Sequence, residues 1–501
     1  MRSWIAPLLL VPTLCLASGQ ASPDTTVPSS TTTWMTVMLN GRKIGQEEIQ
    51  RQRAGDVVIT TQTLLMDVKR NGRTVPYTNT SRSVETVDGK PLSFGMTTTM
   101  SANETDIAGT MQPDGQLQLV TSVGGDTRQI VTGWPAGALL VEGQRMAMLA
   151  ASQHPGQRYN LLAYNQASQQ AMKLDVDVIG TEQVNLLGHV ETLNHQRETL
   201  RGPRGTQVVD LWLDAQGNLR KGSLSMLGRP LDLVACNQAC AAAPSESLDM
   251  MDSALIDSPR LLTPDMLSDF LSYRVHVSNK SVIHPFINTD EQTVADLGDG
   301  NWQVNVFRST LDDRDPPTPA DTAPNAWLQS DLPAIRELAT TAAGNANSPQ
   351  HVMGNLNSFV NRYLSQQGVD IGYASALEVA RDRKGDCVES AVLLAAMARA
   401  KGIPARVVIG MIYTNRYGSK SRVFVPHAWV IAWLKDRWHS FDPAATRFDT
   451  GHIALDSSDG NPWHLFNATN ELGTIQIDSV HTFEELYNRS YSGGMVDGSR
   501  R

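Results

Sequence analysis

Residues 381–402 read RDRKGDCVESAVLLAAMARAKG and place a single cysteine at the predicted start of a helix. Asp386 precedes Glu389 by three residues, the spacing of a capping box with aspartate as the N-cap residue. Cys387 is then the first helical residue, and Gly402 is a typical residue to end the helix. The positive end of the helix dipole and the unpaired amide N–H groups both favour a thiolate. The stretch therefore predicts a nucleophilic thiol, with a buried and inert cysteine as the alternative.

A pair of predicted strands that follow the cysteine helix supplies polar partners for this thiol. His427 lies in PHAWVIAWL, and Asp442 lies in RWHSFDPA, which follows a predicted two-residue turn at Lys435 and Asp436. In that register Asp442 is the diagonal neighbour of His427, and diagonal neighbours lie about 7–8 Å apart. His427 can then act as the base for Cys387, and Asp442 can orient the imidazole, as acyl transfer requires. The alternatives are a structural strand histidine and an aspartate that only forms a turn before proline.

The pattern around these residues predicts an α+β domain. Three helical segments precede the cysteine helix, at about 332–344, 348–368 and 375–383. Short strands follow the cysteine helix, at 406–413, 424–434 and 437–444. Helices followed by an antiparallel sheet form an α+β architecture.

These segments resemble the transglutaminase-like superfamily, and in particular its bacterial branch of hydrolase-like or protease-like proteins. The resemblance is carried by GDCVESAVLLAAMARAKGIPARVVIGMIY (385–413) and HAWVIAWLKDRWHSFDPA (427–444). WLQSDLPAIRELA and ASALEVARDRKGDC, which lie upstream, add to it. The resemblance covers about 325–450, roughly a quarter of the chain, and it implies a papain-like, transglutaminase-like α+β fold for that part.

The resemblance also implies a chemistry. Cys387 is the implied nucleophile that forms a thioester, His427 the base and Asp442 the orienting residue of a Cys-His-Asp catalytic triad. The calcium-dependent animal cross-linkers of the family have glutamine before the cysteine and tryptophan after it, where this chain has Asp386 and Val388. This difference favours hydrolysis of the thioester over transamidation.

No cofactor and no metal are predicted. The sequence has no calcium loop of the EF-hand type, and Cys236-x-x-x-Cys240 is not followed by paired histidines. By the resemblance, Trp429 and Trp438 pack beside the site, with one of them lining the acyl pocket as the alternative, and Arg406 has a structural role between the helix and the first strand.

The region before this domain is predicted to be a curved antiparallel sheet or half-barrel. Turn dipeptides such as Asn40-Gly41, Asp88-Gly89 and Asp114-Gly115 separate stretches of alternating polar and apolar residues. Turn residues flanked by such alternation are typical of β-hairpins. No set of polar residues in this region assigns an activity to it.

The first residues are typical of a secretory signal peptide. Arg2 precedes the apolar run IAPLLLVPTLCLA, and the small residues SGQAS follow it. The apolar run is too short to span a bilayer, which takes about 20 apolar residues; a retained anchor is the alternative. The predicted location is secreted or periplasmic, where disulfides form. Cys236 and Cys240 are close enough in sequence to pair, which leaves Cys387 as an odd thiol.

The predicted organisation is therefore multidomain. The segments are a signal peptide (1–21), a disordered leader (22–33), a β-rich domain (34–245), a smaller β-containing segment with a linker (246–324), a transglutaminase-like domain (325–490) and a flexible tail (491–501).

Two functional hypotheses follow. The first is an exported cysteine-dependent hydrolase or acyltransferase that acts on amide or peptide bonds of a peptide or protein substrate. The second is a non-catalytic binding or assembly protein of the cell envelope, in which the β domain contacts an envelope partner and the triad is vestigial. The net charge of −9 argues against a nucleic-acid partner. After signal cleavage no stable membrane insertion is expected.

Overall fold

A computed structural model describes most of the chain in nine stretches. These are residues 29–70, 73–101, 103–202, 204–249, 253–308, 315–364, 373–445, 447–462 and 471–492. The predicted signal peptide (1–21) and most of the predicted tail lie outside them. No helix within the described stretches combines the length and apolar character needed to cross a membrane.

The N-terminal region is a large antiparallel sheet, as the turn signals predict. Its strand order within the described residues is β8-β7-β6-β5-β4-β3-β2-β1-β14-β13-β12-β11-β10-β9, and β15 adds to β3 in parallel. The strands are Ser29–Leu39 (β1), Arg42–Ala54 (β2), Val57–Arg70 (β3), Arg73–Thr86 (β4), Pro91–Met100 (β5), Asn103–Met111 (β6), Gln116–Val123 (β7), Asp126–Gly133 (β8), Arg158–Asn165 (β9), Gln170–Leu186 (β10), His189–Gly202 (β11), Gly205–Leu213 (β12), Leu219–Met226 (β13), Arg229–Cys236 (β14) and Leu248–Asp249 (β15).

The start of β1 corrects the predicted boundary between the disordered leader and the β-rich domain. β1 begins at Ser29, so residues 29–33 of the predicted disordered leader belong to the sheet. They pair with the far end of β2, from Arg53 to Ile49. The run of threonines there is β-branched, and such residues favour strands where a partner strand is present.

The sheet curls so that its two ends approach each other without pairing. Phe94 on β5 lies with its ring 5.3 Å from that of Tyr164 on β9. The Gln169 side chain donates to Thr121 on β7 at 2.9 Å. Helix α1 (Val141–Ala151) closes one side of the curl, and Glu85 on β4 accepts the first N–H groups of that helix. This is the predicted curved sheet.

The C-terminal region has the predicted helices. Of the three predicted strands after them, the first two are longer than expected and the third is shorter. The helices are Gln238–Ala241 (α2), which precedes the region, Pro333–Ala343 (α3), Pro349–Tyr363 (α4), Ala376–Asp382 (α5), Cys387–Ala400 (α6) and Phe483–Ser492 (α7). The strands are Ile256–Asp257 (β16), Phe270–Val277 (β17), Gln292–Gly298 (β18), Asn301–Phe307 (β19), Ala405–Tyr417 (β20), Lys420–Leu434 (β21), Arg437–Phe441 (β22), His452–Ser458 (β23) and Ile475–Thr482 (β24).

These strands form two sheets, and the sheets correct the predicted boundary at residue 324. One sheet has the order β16-β21-β20-β23 with β22 on β21, and the other has the order β18-β19-β17-β24. β17 to β19 come from the segment predicted as separate, yet β17 pairs with β24 near the end of the chain. β16 pairs with β21. The segment was separated by composition, but backbone hydrogen bonds make it part of the C-terminal unit.

A hydrophobic core joins both regions. Helix α6 lies between β20 and β21 on one side and helices α3, α4 and α5 on the other. The cluster around it extends through β17 and β24 to Val37 and Leu39 on β1. Arg128 of β8 also pairs with Asp331 at 2.6 Å. The large sheet therefore supports the unit that contains Cys387.

Candidate functional site

The start of helix α6 is built as the sequence predicts. Asp386 is the N-cap residue, and its carboxylate accepts the N–H of Val388 at 3.0 Å. The carboxylate of Glu389 accepts the N–H of Asp386 at 3.0 Å, which completes the capping box. A Cβ on Gly385 would collide with the Glu389 side chain, so glycine is required before the cap. Cys387 is the first helical residue, and its thiol is free and partly exposed.

The helix is rigidly held behind this thiol. From Glu389 to Arg399 every residue of α6 is buried. The helix ends before Gly402, whose φ of 73° is the left-handed conformation that follows many helices. A helix buried on all sides cannot shift its first residue without disturbing the core. The position of Cys387 is therefore fixed by packing.

The hairpin that carries the partners also has the predicted turn. Lys435 and Asp436 have φ values of 52° and 61°, as the two central residues of a type I′ turn require. β21 and β22 then pair with Leu434 opposite Arg437. This register brings Asp442, one residue after β22, diagonally next to His427.

Asp442 is fully buried and accepts four hydrogen bonds. One carboxylate oxygen accepts the backbone N–H groups of Ala444 and Ala445, at 2.8 Å and 3.0 Å. The other lies 2.7 Å from Nε2 of His427 and 2.9 Å from Nε2 of His452. Burial raises the pKa of Asp442, but the hydrogen bonds and charges of the two histidines outweigh it and hold the pKa well below the usual range. Asp442 is therefore an anion at neutral pH.

His427 connects this carboxylate to the thiol. Its Nε2 donates to Asp442, and the ring also hydrogen-bonds the side chain of Cys387. Burial lowers the pKa of His427, but the charge of Cys387 and the hydrogen bonds to both partners raise it to about 9. The three residues predicted as a set therefore lie in one hydrogen-bonded chain from helix α6 to the end of β22.

His452 is a member of the site that the sequence did not indicate. It is the first residue of β23, and only 1 % of its surface is exposed. β23 pairs with β20 on the side away from β21, which brings His452 to the same Asp442 oxygen that His427 uses. The sequence around His452, GHIALD (451–456), does not lie at a characteristic distance from the HAW or FDP motifs. The sole nearby feature that could have indicated a role for His452 is Asp449, three residues earlier. Its carboxylate contacts Nδ1 of the His452 ring.

A glycine allows the strands to come this close. Gly410 on β20 pairs with His427 on one side and with Ala454 on the other. A Cβ at Gly410 would overlap the carbonyl oxygen of Ile453 and the ring of Trp429. Gly410 therefore sets the distance between β20 and β23, and with it the position of His452.

Residues 336–443 match the family model of the transglutaminase-like superfamily. The C-terminal region contains a transglutaminase-like domain. The match spans helices α3 to α6 and strands β20 to β22, so it includes all three predicted site residues and ends before His452. No curated protein matches the chain.

Three solved structures are similar over parts of the chain. A proposed cysteine protease from Cytophaga hutchinsonii is 16% identical over 43% of this chain and 84% of its own, with a TM-score of 0.28. A β-barrel-like protein of a domain of unknown function from Brucella abortus is 9% identical over 42% and 96%, with a TM-score of 0.34. A proposed protease from Parabacteroides distasonis is 11% identical over 77% and 68%, with a TM-score of 0.19. These scores are too low to support a conclusion about this chain.

The two tryptophans beside the site of the transglutaminase-like domain are packing residues, as expected. Trp429 is 2% exposed and Trp438 is 3% exposed. Trp438 also donates through its indole N–H to the carbonyl oxygen of Asp315 at 2.7 Å. Arg406 stacks on Trp438 and pairs with Asp321 at 2.8 Å. Arg406 therefore has a wider structural role than predicted, because it fastens the segment before α3 to the sheet.

One group of atoms in the domain has the spacing of metal ligands. Among the described residues, ligand atoms of His427, Asp442 and His452 lie within 4.8 Å of one another. Both imidazoles already donate to the carboxylate, so the group is complete as a hydrogen-bonded set. We assign no metal to it, and the expectation of a site without metal or cofactor stays a prediction.

Proposed function

We propose that this protein is an exported cysteine-dependent hydrolase of amide or peptide bonds that acts through a thioester on Cys387. The observation that carries the proposal is the hydrogen-bonded chain from the Cys387 thiol through His427 to Asp442. The thiol stands at a helix start, the histidine touches it, and a buried carboxylate holds the histidine. These are the nucleophile, base and orienting roles of acyl transfer.

The reaction follows from these contacts. The Cys387 sulfur attacks the carbonyl carbon, and the imidazolium of His427 gives its proton to the leaving nitrogen as the C–N bond breaks. The amine departs and a thioester remains on Cys387. His427 then takes a proton from water, the hydroxyl adds to the thioester carbon, and the C–S bond breaks to release the carboxylic acid. Asp442 keeps the imidazole oriented throughout.

The helix start limits where the oxyanion can bind. The capping box uses the N–H groups of Val388 and Glu389, and Ser390 donates to the carbonyl of Asp386. Among the first-turn amides of α6, that of Cys387 remains for the developing oxyanion. The Asp386 carboxylate therefore occupies two of the first-turn amides.

Water is the proposed acceptor of the acyl group. The residues around the cysteine, Asp386 and Val388, differ from those of the cross-linking relatives, and this difference favours hydrolysis. Transfer to an amine, which would make the protein an acyltransferase, is the alternative fate of the same thioester. The substrate class is a peptide or protein amide in either case.

Export is part of the proposal. The signal-type sequence at residues 1–21 supports a secreted or periplasmic location. N-terminal sequencing of the mature protein should give a first residue near Gln20 or Ser22, and recovery of Met1 from the purified protein would contradict it.

The main test is labelling of the thiol. Iodoacetamide at mildly acidic pH should alkylate Cys387 faster than a model thiol, because the helix start and His427 favour the thiolate. His427→Ala should slow the labelling, whereas His439→Ala, on the neighbouring strand β22, should leave it unchanged. Mass spectrometry of the peptide containing Cys387 gives the rate. A thiol that is inert in the folded wild-type protein would overturn the proposal.

A second candidate function is non-catalytic binding in the cell envelope. It is favoured by a cleft of about 480 Å³ between the large sheet and the C-terminal region, lined by Ile107, Gln129 and Trp327 among others. A complementation assay separates the two functions. Cys387→Ala should abolish the cellular role of a hydrolase at normal protein abundance. Gln129→Trp, which fills the cleft, should abolish that of a binding protein instead.

A further inference from the structure

The ring of His452 makes four close polar contacts in a fully buried setting. Its Nε2 lies 2.9 Å from the Asp442 oxygen that also accepts from His427. Its Nδ1 lies 3.0 Å from the backbone oxygen of Asp449 and 3.1 Å from the carboxylate of the same residue. The backbone N–H of Asp449 also points at Nδ1, at 3.3 Å. Nε2 therefore faces one oxygen acceptor, and Nδ1 faces two oxygen acceptors and one N–H group.

The three oxygen contacts fit a proton on each nitrogen. A neutral imidazole with its proton on Nε2 would accept the Asp449 N–H, but it would also turn the Nδ1 lone pair toward two oxygens of that residue. The doubly protonated ring donates to an oxygen on both sides. Burial lowers the pKa of His452, but the hydrogen bonds and charges of Asp442 and Asp449 raise it to about 9. The ring is thus a cation at neutral pH.

We propose that His452 is a positioning residue of the Cys387 site: a constantly charged imidazolium that holds Asp442 in place and takes up part of its charge. This inference rests on the proposed function. Asp442 then accepts hydrogen bonds from two cations. His427 therefore holds its proton less tightly than it would if it were the only cation next to Asp442. A base that must also return its proton to a leaving amine benefits from that sharing.

Four charged or titratable groups face His452. Asp442 follows β22, Asp449 precedes β23, His427 lies on β21, and Glu291 lies in the loop before β18. Burial raises the pKa of Glu291 to about 7, although hydrogen bonds from Ser440 and the charge of His452 act in the opposite direction. The remaining ring neighbours are Trp429 and Phe448, at 5.2 Å and 4.8 Å between centroids.

The sign of the effect on His427 follows from the charges. The rings of His427 and His452 lie 5.7 Å apart, so two positive charges repel each other. Removing the charge of His452 therefore makes the imidazolium of His427 more stable and raises its pKa. At this distance, and with the screening usual in proteins, the shift should be about one pH unit.

The test is an NMR titration of histidine side chains in the full-length protein. In the wild type, both ring nitrogens of His452 should be protonated at pH 7.5. In His452→Gln, which can still donate to Asp442 but has no charge, the pKa of His427 should rise by about one pH unit. In Asp449→Asn the pKa of His452 itself should fall, because the ring loses one of the two anions that favour its charged form. His439→Gln is the matched control and should shift nothing.

The outcomes separate this inference from the proposed function. A neutral His452 at pH 7.5 in the wild type, or a His427 pKa that is unchanged or lowered in His452→Gln, overturns the inference. If His452→Gln does not fold, the wild-type protonation state and Asp449→Asn still decide. An inert Cys387 with the expected His427 shift overturns the hydrolase but keeps the electrostatic role of His452, since the titration does not need turnover.

Discussion

Two carboxyl groups of the large sheet and one of the C-terminal region respond to their surroundings in opposite ways. In the large sheet, Glu47 lies opposite Met35 and Leu64, and Glu198 lies opposite Val176 and Val209. Burial raises the pKa of Glu47 and of Glu198 to about 7 each. In the C-terminal region, Asp442 is at least as buried, yet four donors hold its pKa low.

The difference shows what turns burial into chemistry. Burial alone disfavours the charged form of a carboxyl group, and the group then protonates. Four donors, two of them cationic, reverse this and keep the charge in place. Glu47 and Glu198 therefore lower the stability of the folded protein above neutral pH, whereas Asp442 stays charged and can orient His427.

The largest expected effect comes from removing the charge of Asp442. Asp442→Asn keeps the size of the side chain but leaves His427 without the anion that orients it. The rate at which p-nitrophenyl acetate acetylates Cys387 at pH 7 should fall by about 10²–10⁴-fold. Asp436→Asn in the turn of the same hairpin is the control and should keep the rate. Equal rates in both variants would place the orienting role elsewhere.

The next effect concerns how closely the strands approach. Gly410→Ala should lower the free energy of unfolding by about 3 kcal/mol, because its Cβ has no space between Ile453 and Trp429. Gly95→Ala in the large sheet is the matched control, since its Cβ would meet its nearest atom at 3.8 Å. Its cost should stay within about 0.5 kcal/mol. Urea unfolding measures both, and equal values would show that the C-terminal sheet is not more tightly packed there.

The substitution Glu47→Gln tests whether burial raises the pKa of this glutamate in the large sheet, in contrast to Asp442. The folded protein binds more protons than the unfolded chain between about pH 4.5 and 7, so wild-type stability falls as the pH rises through this range. The variant should therefore be more stable than the wild type at pH 8, by about 1–3 kcal/mol, and equal to it at pH 4. A variant that is no more stable at pH 8 would mean that Glu47 reaches water.

The smallest effect is expected from the disulfide between Cys236 and Cys240. It closes a very short loop, so replacing both cysteines with serine should lower the free energy of unfolding by about 2 kcal/mol or less. The alkylation rate of Cys387 should not change, because the disulfide belongs to the sheet region. A changed rate would show that the two regions are coupled through α2.

Local patterns were sufficient to predict much of the site. Asp386 and Glu389 are three residues apart, so the helix start could be placed from spacing alone. The turn at Lys435 and Asp436 fixed the register that brings Asp442 to His427. Both are short-range features, and short-range features depend mainly on the residues that form them.

Long-range pairing accounts for what the sequence did not predict. His452 reaches Asp442 only because β23 pairs with β20. No sequence motif indicates that pairing. The strands β17 to β19 belong to the C-terminal unit because β17 pairs with β24, which lies about two hundred residues later. Composition changes along the chain do not report which distant strands share hydrogen bonds.

The pairing of β17 with β24 has a consequence for biogenesis. The four-stranded sheet cannot be completed until β24 has been synthesised, about two hundred residues after β17, and contacts between residues so distant in sequence form slowly. Until then β17 has one open edge, and the core around α6 lacks Ile477 and Val480. The thiol of Cys387 would thus acquire its ordered surroundings late in folding, and proteolytic loss of residues 475–492 from the finished protein should open the same edge.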